Sequence, residues 1–209
     1  MILVVAATAV FTGCSHPAAS VTRTKAMTGD REAQYTLGRW YATLEGEPQG
    51  IRQNLTEAAK WLRKSADQRY APAQSLLGML YEKGLGVPQD YTEAGKLYRK
   101  AAEQGIVSAQ SALGVLYSTG QGMAQDKKQA AVWFQKAAEH GDAEAQYNLG
   151  LAYKNGEGVE QDRQQALMWL NLAARRLAKV TRARDQLALQ MTPDERGKAE
   201  SAANAWQKR

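Results

Sequence analysis

The sequence predicts an all-α fold, a solenoid of about four stacked helix pairs closed by C-terminal capping helices. Three observations in the 209 residues carry this. A block of residues recurs at a fixed interval, each block divides into two segments of helical periodicity, and a glycine-containing turn separates the two. The block is clearest at Ala145-Gln146, Leu149-Gly150 and Tyr153, followed by Gly156-x-Gly158 and Gln161-Asp162. It appears 36 residues earlier at Ala109-Gln110, Leu113-Gly114, Tyr117, Gly120-x-Gly122 and Gln125-Asp126, and again at Ala73-Gln74, Leu77-Gly78, Tyr81, Gly84-x-Gly86 and Gln89-Asp90. A fourth copy lies upstream at Ala33-Gln34, Leu37-Gly38 and Tyr41, with four extra residues before Gln53-Asn54. Self-similarity at such a period means stacked units that share one core.

Composition agrees with that reading. The chain is 44% hydrophobic and 23% charged, the balance of an average soluble protein, with two Phe against nine Tyr and five Trp. The net charge of +6 is concentrated after residue 174, where nine Lys or Arg stand against four Asp or Glu. Such a surface can hold nucleic acid or anionic headgroups, but basic residues scattered along helices are ordinarily solvated, and no nucleic-acid partner is expected. One Cys and two His leave no set of zinc ligands, so no metal and no cofactor are expected.

Residues 2–11 form an apolar run followed by Thr12-Gly13-Cys14-Ser15, too short to span a bilayer but suited to a secretory signal. The arrangement resembles the lipobox of bacterial lipoproteins. That resemblance implies a signal peptide over 1–13, lipidation of Cys14 as the new N-terminus and, from Ser15, sorting to the outer membrane of a Gram-negative cell. Residues 14–30, rich in Ala, Ser and Thr, are then expected to be a flexible tether. The alternative is an apolar terminus with an incidental cysteine.

Within each copy the first helix, A, carries the Leu and Tyr positions on one face, and in the third copy it is expected over 107–118, stopped by Gly120. The second helix, B, opens at Asn54, Asp90, Asp126 or Asp162, each followed three residues later by Glu or Gln, the arrangement that satisfies free backbone N–H groups. Along helix B, Ala58, Ala94, Ala130 and Ala166 share register, as do Trp61, Leu97, Trp133 and Trp169. Gly105 and Gly141 end two B helices, and Arg69 takes that place in the first copy. The glycine inside every A helix (Gly38, Gly78, Gly114, Gly150) costs about 1 kcal/mol relative to alanine and must be offset, by expectation through close backbone contact with a neighbouring helix.

Ala-x-x-Leu-Gly-x-x-Tyr, the Gly-x-Gly turn and a B helix ending Lys-Ala-Ala-Glu-x-Gly resemble the Sel-one-like repeats, relatives of the tetratricopeptide repeat. The resemblance divides the chain into copies at 31–70, 71–106, 107–142 and 143–178. It implies a right-handed superhelix whose A helices line a concave groove. Beyond the fourth copy Ala-Gln is missing and Leu177 replaces the closing glycine, so that helix B either breaks there or runs on. Residues 177–209 are expected to form capping helices, the last opened by Thr192-Pro193-Asp194-Glu195 and ending near Trp206.

No nucleophile and base pair is evident, and the Gly-x-Gly turns lack the strand and Lys-Ser/Thr of phosphate loops. No enzymatic activity is expected. Function then falls to the A-helix positions that differ between copies: Tyr35 and Arg39; Ser75, Met79 and Glu82; Ser111, Val115 and Ser118; Tyr147, Leu151 and Lys154. Aromatic, flexible apolar and charged side chains mix there as they do on recognition surfaces. The expected role is an adaptor of the bacterial cell envelope that binds another protein or peptide in the groove. A peptidoglycan- or polysaccharide-binding envelope factor is the alternative, and oligomeric state is left open.

Overall fold

The computed structural model describes residues 17–42 and 54–206, with side chains from Ser20 onward. Cys14, the expected signal peptide and the four-residue insertion of the first copy lie outside the described residues. Among these residues there are eleven α-helices, one 3-10 turn and no strand. The helices are α1 (Pro17–Met27), α2 (Arg31–Ala42), α3 (Leu55–Asp67), α4 (Ala71–Lys83), α5 (Tyr91–Glu103), α6 (Val107–Thr119), α7 (Lys127–Glu139), α8 (Ala143–Asn155), α9 (Arg163–Ala174), α10 (Thr181–Ala188) and α11 (Pro193–Trp206). From α2 to α9 they alternate A and B, and each packs chiefly against its neighbours in sequence. No described helix is long and apolar enough to cross a membrane.

The B helices start where the capping residues predict. Asn54, Asp90, Asp126 and Asp162 accept from the N–H groups of Glu57, Glu93, Gln129 and Gln165. The reciprocal bond takes another course. Each cap's own N–H donates to the carbonyl of the A-helix tyrosine, Tyr41, Tyr81, Tyr117 or Tyr153, at 2.9–3.0 Å. This ties the end of helix A to the start of helix B. A full reciprocal pair forms only at α11 among these starts, where Thr192 N–H donates to Glu195 Oε2 at 2.8 Å and Glu195 N–H to Thr192 Oγ1.

The two turn glycines have different tasks. Gly84, Gly120 and Gly156 take left-handed angles as C-caps of α4, α6 and α8. Gly86, Gly122 and Gly158 also have positive φ, and a Cβ there would strike the backbone of Leu55, Tyr91 or Lys127 at the start of the preceding B helix. The turn is thus pressed onto the neighbouring copy, and Gln89, Gln125 and Gln161 fasten it by donating to the carbonyls of Glu82, Ser118 and Lys154 at 2.8 Å.

The Ala-Gln pair has an equally specific role. Buried Gln34, Gln74, Gln110 and Gln146 donate from Nε2 to the carbonyls of Ala26, Ala66, Ala102 and Ala138 at 3.0–3.2 Å. Each carbonyl already accepts a backbone N–H from the residue three places on, and the glutamine supplies a second donor that ties the next A helix to the end of the preceding helix. Gln68 and Gln104 complete the link by donating to Gln34 and Gln74 Oε1 at 2.8 Å. His140 stands at that position in the third copy, and Gln110 Oε1 has no partner.

The A-helix glycines do permit close packing, chiefly with side chains of the neighbouring helix; the expected backbone contact is present at Gly38 and Gly150, where Leu62 N and Ala166 O lie 3.2 Å from the Cβ position. A Cβ at Gly38, Gly78, Gly114 or Gly150 would come within 2.6–2.9 Å of Leu62, Tyr98, Phe134 or Leu170, the large residue of the same copy's B helix. Leu37, Leu62, Leu77, Leu113, Leu149 and Leu170 are at most 1% exposed along this seam. Each contributes about 1.5–3 kcal/mol by burial.

Residues 17–27, expected within the flexible tether, form α1, which corrects that expectation. Ala26 is buried against Ala33 and Leu37, its carbonyl accepts from Gln34, and Gly29 has φ +100°. These features match Ala66 with Arg69 (φ +60°), Ala102 with Gly105 and Ala138 with Gly141, so α1 takes the place of a B helix before the first copy. Where the later B helices offer Leu62 or Tyr98 to their own A helix, α1 has the half-buried Thr22, and where they offer Ser65 or Ala101 it has the exposed Lys25.

At the other end α9 breaks at Arg175, and Leu177 has extended backbone angles before the 3-10 turn Ala178–Val180. Val180, Leu187, Met191 and Ala199 then bury Leu167, Leu170 and Ala173 where a fifth A helix would lie. Trp206 meets Trp169 edge-on, centroids 5.0 Å apart. Part of the basic surplus holds this cap in place: Arg175 donates to Asn204, Arg176 to the Gly141 carbonyl, and Lys179 pairs with Glu144.

Candidate partner-binding groove

On α4, residues 72, 75, 76, 79, 82 and 83 recur at helical spacing and share one side of the helix. With Tyr35 of α2, Tyr98 of α5, and Ile106 and Ser108 at the start of α6, they enclose a cavity of about 430 Å³. Four of the expected contact residues, Tyr35, Ser75, Met79 and Glu82, therefore meet at one place. Ser75 Oγ lies 3.2 Å from Ser108 Oγ, bridging α4 and α6. Tyr35 packs edge-on against Tyr70 at 5.3 Å, and the Arg39 guanidinium lies 5.7 Å from the Tyr35 ring centroid.

One end of the cavity is polar and fixed. The Tyr98 hydroxyl donates to Glu82 Oε2 at 2.6 Å. Burial first, and then this bond to a carboxylate, push the Tyr98 hydroxyl well above the ordinary tyrosine range, so it stays a donor. The other end is apolar because of two departures from the helix-start rule. Helices α2 and α8 are capped by Asp30 and Asp142, which accept from Ala33 and Ala145 N–H at 2.7 Å. At the same position α4 and α6 have Tyr70 and Ile106, with no side-chain cap. Each of these starts forgoes about 1 kcal/mol of capping. What replaces the cap in each case is apolar surface beside the cavity.

The remaining expected residues do not continue this line. Ser111 is buried and donates to Asp142 Oδ1 at 3.1 Å, joining α6 to the cap of α8, so it serves the stack. Val115 packs against the core of Phe134, Leu149 and Trp169, and Tyr147 against that of Leu167, Leu170 and Val180, with Lys179 Nζ 6.0 Å from the Tyr147 ring centroid. Ser118 and Leu151 share a smaller cavity of about 130 Å³. It is bordered by the ion pair of Lys127 and Glu157 at 2.8 Å, which lowers the Glu157 carboxyl below its usual value. Lys154 is half-buried and forms no ion pair among the described residues.

The sequence reading missed Leu76, Pro72, Tyr98 and Ile106. Ile106 and Tyr70 could have been found by aligning the copies, since Asp, Tyr, Ile and Asp occupy one position in succession. Tyr98 could not, because it belongs to the B-helix seam and reaches the cavity through its hydroxyl alone. Among the described residues no group of three or more His, Cys, Asp or Glu could hold a metal ion.

Comparison with known families matches the Sel1 repeat to residues 31–70, 71–106, 107–142 and 143–176. A search of the curated proteins finds no match. Among solved structures the chain is similar to c5321, a protective antigen of uropathogenic Escherichia coli strains displaying an SLR fold, with 34% identity and a TM-score of 0.83 over 94% of this chain. It is also similar to a Sel1 repeat protein from Oxalobacter formigenes, with 36% identity and a TM-score of 0.67 over 75% of this chain. The chain spans 42% of the first protein and 63% of the second. Four matched copies, with the caps, turn glycines and glutamine links described above, make this chain a member of the Sel1 repeat family.

Proposed function

We propose that the chain is an interaction adaptor of the bacterial cell envelope, holding a partner protein or peptide on its A-helix side at the α2–α4–α6 cavity. Sel1 repeat proteins generally act as scaffolds for protein interaction, and membership supports that role here. The observation that carries the placement is the cavity where Tyr35, Met79, Glu82 and Ile106 meet and where α6 forgoes its cap. Apolar anchors around a fixed polar group give both affinity and orientation. The lipobox-like segment at Cys14 supports attachment to the outer membrane, facing the periplasm.

Quantitative affinity capture from cells tests the groove. Proteins retained by the wild-type chain and by Val132→Arg, on the B-helix side, should be lost with Met79→Arg. A partner lost with Val132→Arg and kept with Met79→Arg would overturn the placement. For the anchor, inhibition of lipoprotein signal peptidase should accumulate precursor, and an unchanged mass on Cys14→Ala would exclude lipidation.

A further inference from the structure

We propose, resting on that groove reading, that the cavity selects a peptide segment presenting a large apolar side chain to Met79, Leu76 and Ile106 and a lysine or arginine to Glu82. Glu82 is half-buried, and its Oε2 is occupied by the Tyr98 hydroxyl at 2.6 Å. Its other carboxylate oxygen has no hydrogen bond or ion pair among the described residues, yet it borders a cavity otherwise walled mainly by apolar groups and hydroxyls. A carboxylate in such surroundings gains most from a cation that brings its own donors.

Lys83 also borders the cavity, the one competing charge there among the described residues. It is exposed, forms no ion pair among the described residues, and hangs on a flexible stem, whereas Glu82 is fixed in place by Tyr98. A preorganised charge loses less on binding than a mobile one, so the carboxylate sets the preference. The apolar half of the selection follows from the uncapped starts. Ile106 occupies the place where Asp30 and Asp142 cap their helices, which removes an acidic oxygen from the cavity's far end and leaves Glu82 as its one acid among the described residues. Length is set by α4: from Pro72 to Glu82 the wall runs about 15 Å at 1.5 Å per residue, room for roughly five residues of extended peptide.

The test is selection from a phage-displayed library of random dodecapeptides on the full chain and on Glu82→Gln, which keeps an acceptor for Tyr98 and removes the charge. Matching melts establish that the variant folds. The wild type should enrich peptides combining Lys or Arg with Leu, Phe or Tyr, and selected peptides should bind Glu82→Gln about tenfold or more weakly. Peptides without basic enrichment, or unaffected by Glu82→Gln but lost with Met79→Arg, would overturn the charge preference and leave the groove reading standing. No enrichment at all, or binding indifferent to Met79→Arg, would overturn both.

Discussion

Replacing Gly114 by alanine sets two effects of opposite sign against each other. Helix propensity alone favours alanine in a helix interior by about 1 kcal/mol. The structure places the new Cβ 2.6 Å from both Cδ1 and Cε1 of Phe134, where ordinary carbon contacts lie near 3.5–4.0 Å. The ring must retreat by roughly 1 Å in a seam whose leucines are fully buried, and overpacking of that kind costs about 1–3 kcal/mol. The net expectation is a loss of about 1 kcal/mol, and for a chain this size a melting temperature lower by about 2–4 °C. Gly197 is the internal control, since it too lies within a helix, α11, but nothing stands within 4 Å of its Cβ position. Gly197→Ala should raise the melting temperature by a similar amount. Thermal and urea melts followed by circular dichroism measure both. Phe134→Leu, which restores the Gly–Leu pairing of Gly38 with Leu62, should reduce the cost of Gly114→Ala in a double-mutant cycle by about 0.5 kcal/mol or more. If Gly114→Ala stabilises the protein as Gly197→Ala does, the glycine seam has been misread.

Three further changes follow from departures between copies. Arg69 holds φ +60° where other copies have glycine, so Arg69→Gly should stabilise by roughly 0.5–1 kcal/mol and Arg69→Val should destabilise, as read by urea midpoints. His140→Gln supplies the missing donor to Gln110 Oε1 and should add about 1 kcal/mol, with slower amide exchange at the start of α6; an unchanged midpoint would mean that the link adds nothing. Tyr98 is held above its ordinary value of 10.0, by burial and then by its bond to Glu82. Because the folded value exceeds the unfolded one, its contribution is complete below about pH 10 and is lost as pH rises beyond it. Wild type should therefore lose stability between pH 9 and pH 11 more steeply than Tyr98→Phe.

Helix starts, turns and copy boundaries were legible because they recur in phase and each has a local cause: an acceptor for free N–H groups, or a left-handed angle. Contacts between copies were less so. The partner of Gly114 is an ordinary phenylalanine on another helix, and nothing local marks it. Helix α1 was overlooked because its copy has no described A helix and its packing face is only alanine, although the spacing of Ala26 and Gly29 carries the signal. In the candidate site, variability between copies located Tyr35, Ser75, Met79 and Glu82 but also drew in Ser111, whose hydroxyl is committed to Asp142. A varying residue can differ because it meets a partner or because it meets a differing cap, and only the fold separates the two.

The central claim is that the residues which vary along the A helices, not the repeated ones, meet the partner. A photo-crosslinking amino acid placed in living cells at Met79, and separately at Val132 on the B-helix side, addresses it directly. The account predicts one discrete adduct from Met79 that disappears with Glu82→Gln and none of that mass from Val132. A discrete adduct from Val132, with none from Met79, would contradict it.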